Sequence, residues 1–243
     1  MLMFDFLKFW NRGRKDPRNF LNLPNSKSRF TYIYESNYWS GDESVSGKGS
    51  SLKATENIRN ALLYLFEKHG IKTLFDAPCG DFNWMQKVVA QSGINYIGAD
   101  IVETLVDKNN SSFSDPKTRF LKMDITNDDF PNADLWLCRH CLFHMSYRDI
   151  HDTLTRFLDS SIPLMLTTTN IVEKGYVNLD IVTGDFRQID LFSAPFCFSS
   201  DVLFRTHDYV PPDYAMDICL WEKQQVADGL KTLQAFLAKV ERT

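Results

Sequence analysis

The sequence predicts an α/β fold built on a doubly wound, mostly parallel sheet, and three observations predict it. Short apolar runs at residues 72–76, 95–100, 119–124, 133–138 and 163–170 read as strands, and the first three end in an aspartate, Asp76, Asp100 and Asp124. Stretches with helical apolar spacing lie between several of them, at 82–89, from Asp100 to about 108, and at 146–158, and strands that alternate with helices pair in parallel. The first run stops at Asp76-Ala-Pro-Cys-Gly-Asp81, where Pro78 and Gly80 forbid its continuation. In an open α/β sheet ligands sit outside the carboxyl ends of the strands, so this turn is the expected floor of a binding site.

In chain order, residues 1–40 are aromatic and basic, with Phe4, Phe6, Phe9 and Trp10 ahead of Arg12, Arg14, Lys15 and Arg18. A membrane-surface helix, a lid over an acceptor, and an arm packed on the domain or on a partner subunit all fit. Residues 1–45 are therefore set apart as an arm or lid, and 46–243 as the folded domain. A Gly/Ser loop spans 40–51. Its Gly47-Lys-Gly-Ser50 lacks the order of a phosphate loop and reads either as a linker or as a backbone nest whose Lys48 closes over an anionic group. Leu52, Ile58, Leu62, Leu65 and Phe66 then keep helical spacing, with Ser50 or Ser51 as the expected cap and Gly70 as the stop.

Asp100 follows Asp76 by 24 residues. That is close to the ~20-residue offset at which an acid ending the second strand of a nucleotide-binding unit accepts ribose hydroxyls. In the last third, residues 178–192 carry Asp180, Asp185, Arg187 and Asp190 in a turn-rich setting, and 195–198 are expected to add an edge strand. Pro211-Pro212 breaks the chain, and 216–222 reads as a late strand paired antiparallel. Val226, Leu230, Leu233, Leu237 and Val240 step by 4, 3, 4 and 3, which makes a closing helix for the sheet or for a second subunit in a homodimer.

At 243 residues, with 44% hydrophobic and 24% charged residues, the chain suits one globular domain. A formal charge of -4 argues against a general nucleic-acid binder. No apolar run reaches the ~20 residues of a membrane span. The apolar start is broken by Asp5 and Lys8 and makes a poor signal peptide, so a cytoplasmic protein is expected. Five cysteines argue for reduced thiols. Cys138-Arg-His-Cys141 would suit zinc or redox chemistry, but Cys79, Cys197 and Cys219 offer no second close pair, so no metal is expected.

Taken together, these motifs resemble class I S-adenosylmethionine-dependent methyltransferases, from about Ser46 to Gln224. Asp76-Ala-Pro-Cys-Gly-Asp81 is similar to the family's acidic first motif, though Pro78-Cys79 stand where many members have a second glycine. Asp100 matches the ribose-binding acid, Asp124-Ile125 the pair at the adenine, and 134–144 the fourth-strand motif. The resemblance implies a seven-stranded Rossmann-like sheet with an antiparallel strand near the C-terminus. It implies S-adenosylmethionine held by Lys48, Asp76, Ala77, Pro78, Cys79, Gly80, Trp84, Asp100, Ile101, Asp124, Ile125, Arg139 and His144. Ser46-Gly-Lys-Gly-Ser-Ser51, Asp76-Ala-Pro-Cys-Gly-Asp-Phe-Asn-Trp84, Cys138-Arg-His-Cys-Leu-Phe-His144 and Thr183-Gly-Asp-Phe-Arg-Gln-Ile-Asp-Leu-Phe192 look closer still to bacterial surface-polysaccharide (capsule) O-methyltransferases. The acceptor this implies is a sugar or another small polar precursor, phosphorylated or nucleotide-linked forms included.

Methyl transfer from a sulfonium is an in-line displacement that needs alignment, exclusion of water, and a base for the hydroxyl proton. His140, just beyond the fourth strand, is the first candidate base, and Arg187 flanked by Asp185 and Asp190 could face an acceptor. Asn170 ends the fifth strand and is a further candidate. The rival readings are N-methylation of a small metabolite, a nicotinamide-dependent oxidoreductase, which would want the three-glycine spacing absent here, and a non-catalytic S-adenosylmethionine-binding module.

Overall fold

The structure, a computed structural model, describes residues 18–242. The stretch from Phe4 to Lys15 that carries the aromatic-basic pattern lies outside the described residues. After a short 3-10 turn (Asn19–Asn22) comes helix α1 (Ser26–Glu35), capped by the Asn25 side chain, which accepts from the Ser28 N–H. Helix α2 (Glu56–His69) begins later than its apolar spacing predicts. Leu52 lies in a run of turns, and Ser51 accepts from the Ala54 N–H within those turns rather than capping the helix. Gly70 ends α2 in the left-handed conformation, as expected.

Strand β1 (Thr73–Asp76), helix α3 (Met85–Ser92), strand β2 (Asn95–Asp100), helix α4 (Glu103–Phe113), strand β3 (Thr118–Lys122) and strand β4 (Leu135–Cys138) follow. Then come helix α5 (Tyr147–Asp159), strand β5 (Leu164–Asn170), strand β6 (Phe204–His207), strand β7 (Met216–Glu222) and helix α6 (Lys223–Val240). The sheet order is β3-β2-β1-β4-β5-β7-β6, with β7 antiparallel to both its neighbours and β1 to β5 mutually parallel. The edge strand is therefore β6 rather than residues 195–198, which form turns. There Thr232 of α6 donates to the Pro195 and Phe196 carbonyls, so these groups serve the helix instead of a ladder.

Because side chains alternate across a strand, each strand feeds two cores. Leu74, Leu135, Leu137, Leu166, Ile218 and Leu220 face α2, α3 and α4, while Phe75, Trp136, Met165 and Trp221 face α5 and α6. Helices on both faces explain why the central strands read as continuous apolar runs. Trp136 is fully buried, and its Nε1–H donates to the Ala77 carbonyl at 3.0 Å, which ties the end of β1 to β4 at the edge of the site. The sequence 226–240 does give a helix, and its buried Val226, Leu230 and Leu233 pack on the sheet and on α5.

Candidate functional site

The carboxyl ends of β1, β2 and β4 open on one cleft, partly open to solvent, at the point where the strand order reverses. Its floor is the turn after β1. Gly80 has φ +55°, and a Cβ there would stand 2.3 Å from Ser46 Oγ, so glycine alone lets the 44–46 loop close on the turn. Asp81 fastens that loop by accepting from Ser44 Oγ at 2.9 Å and from the Val45 N–H at 3.0 Å.

Two buried carboxylates face this floor. Tyr96 donates its hydroxyl to Asp76 Oδ2 at 2.7 Å. Asp100 accepts from the Gly80 N–H at 3.1 Å and the Val102 N–H at 3.0 Å, which sets its carboxylate at the end of β2. Burial pushes Asp76 up to about 7, and the Asp100 charge adds to this against Tyr96 and Arg139. Burial likewise pushes Asp100 up to about 6, opposed by backbone N–H groups of Val102, Gly80 and Ile101. Neither makes a salt bridge among the described residues, so both are disposed to pair with a cationic or donor-rich ligand. Beside them Ile101, Leu105, Met123 and Ile125 form an apolar wall. Asp124 holds its own turn by accepting from the Thr126 N–H and hydroxyl at 3.0 and 2.7 Å.

The roof is aromatic. Phe30 and Tyr34 from α1, then Trp39, line the cavity opposite the strand ends, and Trp39 stacks on His144 with centroids 5.1 Å apart. His144 donates from Nδ1 to the Asp185 carbonyl at 2.8 Å, and burial holds it down at about 4, so it is a neutral wall residue.

The end of β4 supplies the remaining polar group. Arg139 binds Asp208 in a bidentate pair, Nε to Oδ2 at 2.8 Å and Nη2 to Oδ1 at 2.9 Å, and lies over the Trp84 ring at 5.3 Å. His140 Nε2 lies 3.3 Å from the same Asp208 Oδ2. The His140 backbone takes a left-handed φ of 51° and donates its N–H to Thr168 Oγ1 of β5 at 3.1 Å. A non-glycine residue held there marks a position set by its surroundings. Burial, aided by Arg139, holds the imidazole below its usual range in spite of Asp208, so it is neutral near pH 7. Asp208 stays below the carboxylate range: burial would raise it, but Arg139 and His140 together outweigh that.

Of the residues expected from the sequence, Asp76, Pro78, Cys79, Gly80, Trp84, Asp100, Ile101, Asp124, Ile125, Arg139, His140 and His144 all line this cavity. Five others do not. Ala77 is buried within the end of the sheet, its N–H donating to the Leu137 carbonyl. Lys48 is exposed, outside the lining. Asp190 accepts from the Phe192 N–H and the Ser193 hydroxyl, closing a buried turn. Arg187 lies over the Tyr147 ring with Nη1 donating to the Leu142 carbonyl. Asp185 reaches the site only through its backbone carbonyl, its carboxylate lying 3.8 Å from Arg18. The late polar loop thus stands behind the wall, with Asp190 closing its own turn, Arg187 set against Tyr147 and the Leu142 carbonyl, and Asp185 facing Arg18. Asn170 likewise accepts from the Ile189 N–H and pins that loop to β5. Cys138 and Cys141 are buried free thiols, and no metal-holding cluster exists among the described residues.

Sequence reasoning missed Asp208, which follows an edge strand too short and polar to be read, and Asp81, whose value comes only from the loop it receives. The aromatic content of residues 30–39 was the one visible signal of the roof.

No protein-family model and no curated protein sequence matches the chain. Solved structures do. Human N-acetylserotonin methyltransferase in complex with SAM superposes with TM-score 0.55 at 15% identity over 88% of this chain, which spans 64% of that enzyme. Magnesium protoporphyrin IX methyltransferase from Synechocystis PCC 6803 with bound SAH gives 0.58 at 11% identity, over 82% of this chain and 100% of that one. Burkholderia thailandensis 1,6-didemethyltoxoflavin-N1-methyltransferase, with its acceptor and S-adenosylhomocysteine bound, gives 0.58 at 15%, over 88% and 92%. The chain shares the Rossmann-like fold of these methyltransferases.

Proposed function

We propose that the chain is an S-adenosylmethionine-dependent O-methyltransferase. The observation that carries this reading is the joint placement, in one cavity, of two buried carboxylates that make no salt bridge among the described residues and a neutral histidine. The residues fit the donor: Asp76 suits its cationic amino-acid end, Asp100 its ribose hydroxyls, and the wall of Ile101, Met123 and Ile125 its adenine. When bound, the donor supplies a methyl group on a positively charged sulfur. The chain's own part is to orient the acceptor under the aromatic roof, exclude water, and take up the hydroxyl proton on the His140 imidazole.

The acceptor reading follows from charge. Among the described residues Asp76, Asp81, Asp100 and Asp124 line the cavity, and the one guanidinium of that lining, Arg139, is already paired with Asp208. A phosphate or diphosphate would find no unpaired cation among the described lining residues. The best fit is an uncharged hydroxylated ring, such as a sugar or another neutral precursor of a surface polysaccharide, with its apolar face against Phe30, Tyr34 and Trp39. This favours the neutral members of the acceptor class expected from the sequence over nucleotide-linked ones.

Titration calorimetry with S-adenosylmethionine, S-adenosylhomocysteine and NAD is expected to show binding of the first two alone. Binding of NAD would return the oxidoreductase reading. With a sugar acceptor panel, His140→Ala and His140→Asn should lower turnover roughly 10²–10⁴-fold, with donor affinity nearly unchanged. Chelation should leave turnover intact, and a loss restored by magnesium would overturn the metal-free mechanism.

A further inference from the structure

We propose, building on His140 as the base, that its reactive nitrogen is Nδ1, kept approachable by the missing side chain at Gly49, and that Asp208 is the positioning residue that holds the ring proton on Nε2. The two nitrogens have opposite surroundings. Nε2 lies 3.3 Å from the buried Asp208 Oδ2, whereas a Cβ built on Gly49 would stand 2.9 Å from both Cε1 and Nδ1. A carboxylate can only accept, so the neutral ring keeps its proton toward Asp208 and presents its lone pair on Nδ1. At 3.3 Å the contact does not close into a hydrogen bond in this structure and leaves Nε2 a buried nitrogen facing the carboxylate, as catalytic pairs are often poorly aligned before substrate binds.

Gly49 sits in the short turn Lys48–Ser50, and the neighbouring Ser50 lines the cavity. Its backbone φ lies outside the left-handed region, so the glycine is required by space rather than by conformation. Arg139 completes the device. An unneutralised carboxylate would raise the imidazole and keep it protonated near neutral pH. With both Asp208 oxygens engaged by the guanidinium, the carboxylate orients the ring while adding little net charge. During transfer the acceptor oxygen forms its bond to the methyl carbon, the carbon–sulfur pair goes to sulfur, and the acceptor proton goes to Nδ1.

Three measurements test this on the full chain. Nitrogen-15 histidine spectra, with the His140 signals assigned by their loss in His140→Asn, should show protonated Nε2 and unprotonated Nδ1; the reverse pattern overturns the proposal. Asp208→Asn should lose that tautomer preference and lower kcat by roughly 10²–10⁴-fold, with the KM for the acceptor changed much less. Gly49→Ala, which keeps an allowed backbone, should cut turnover at least roughly tenfold while leaving S-adenosylmethionine affinity within about twofold, since the added methyl blocks only Nδ1. A fully active Gly49→Ala enzyme sinks the Nδ1 assignment even where His140→Asn is dead. If His140→Asn itself stays active, it is the base reading that fails.

Discussion

A single carboxylate shows how burial turns an ordinary side chain into a binding group. Asp100 is held by the Gly80 and Val102 N–H groups at the end of β2, yet desolvation still pushes it up to about 6. A donor offering hydroxyl hydrogens there gains a charge-assisted bond worth roughly 1.5–3 kcal/mol. Asp100→Ala should therefore weaken S-adenosylmethionine binding by one to two orders of magnitude, as read by calorimetry, with thermal unfolding used to show that the fold persists. An unchanged dissociation constant in a folded variant would remove Asp100 from the site. Asp190 makes the contrast at the same scale. It is as well buried, and its two oxygens likewise accept one hydrogen bond each, from the Phe192 N–H and the Ser193 hydroxyl, but it stands outside the lining of the cavity and so meets no ligand there.

At the scale of elements, the cavity is a contract between the strand ends and helix α1. The strands bring the acids and His140, and α1 with Trp39 brings the aromatic roof. Trp39 is itself located by stacking on His144 and by Gly47, where an added Cβ would stand 3.3 Å from Trp39 Cβ. An aromatic pair of this kind is worth about 0.5–1.5 kcal/mol beyond the area it buries. Trp39→Ala should raise the acceptor KM by roughly three- to tenfold and leave the donor affinity within about twofold, because the donor contacts lie on the strands. A variant that loses donor and acceptor equally would place the roof over the donor instead. The segment between β5 and β6 plays a different part. Asn170 and Thr169 of β5 pin its backbone to the sheet, Asn178 ties the segment to itself at Asp190, and through the Asp185 carbonyl it holds His144 in place.

Taken whole, the molecule carries electrostatic frustration at the site. Asp76 and Asp100 have folded values raised above those of an unfolded chain, about 7 and about 6. Such groups favour the folded state fully below the unfolded value near 4 and lose that contribution as pH climbs through the folded value. The ligand-free protein therefore loses stability from these two groups between about pH 4 and pH 7. A bound ammonium and ribose favour the ionised forms and reverse the loss. The rise in Tm on adding S-adenosylmethionine should thus be larger at pH 8 than at pH 5.5, and binding in that interval should release protons to the buffer. A ligand-induced shift that is flat with pH, or larger in acid, would show that neither carboxylate changes its proton on binding.

The sequence by itself determined the layers and most of the floor. Apolar runs ending in Asp76 and Asp100, punctuated by Pro78 and Gly80, could only be strands of a two-sided sheet, since continuous apolar runs need cover on both faces. The offset between those two acids marked a nucleotide-like site for a local reason: both lie at the ends of adjacent parallel strands. What only the tertiary structure decided depends on residues far apart in the chain. Asp208 meets Arg139 and His140 because β6 lies beyond β7 at the sheet edge, a pairing that no local pattern encodes. The polar loop of Asp185, Arg187 and Asp190 looks like chemistry in one dimension. In three it is a buttress, because a charged residue advertises its type in the sequence while its hydrogen-bond partners are settled only when the chain closes around it.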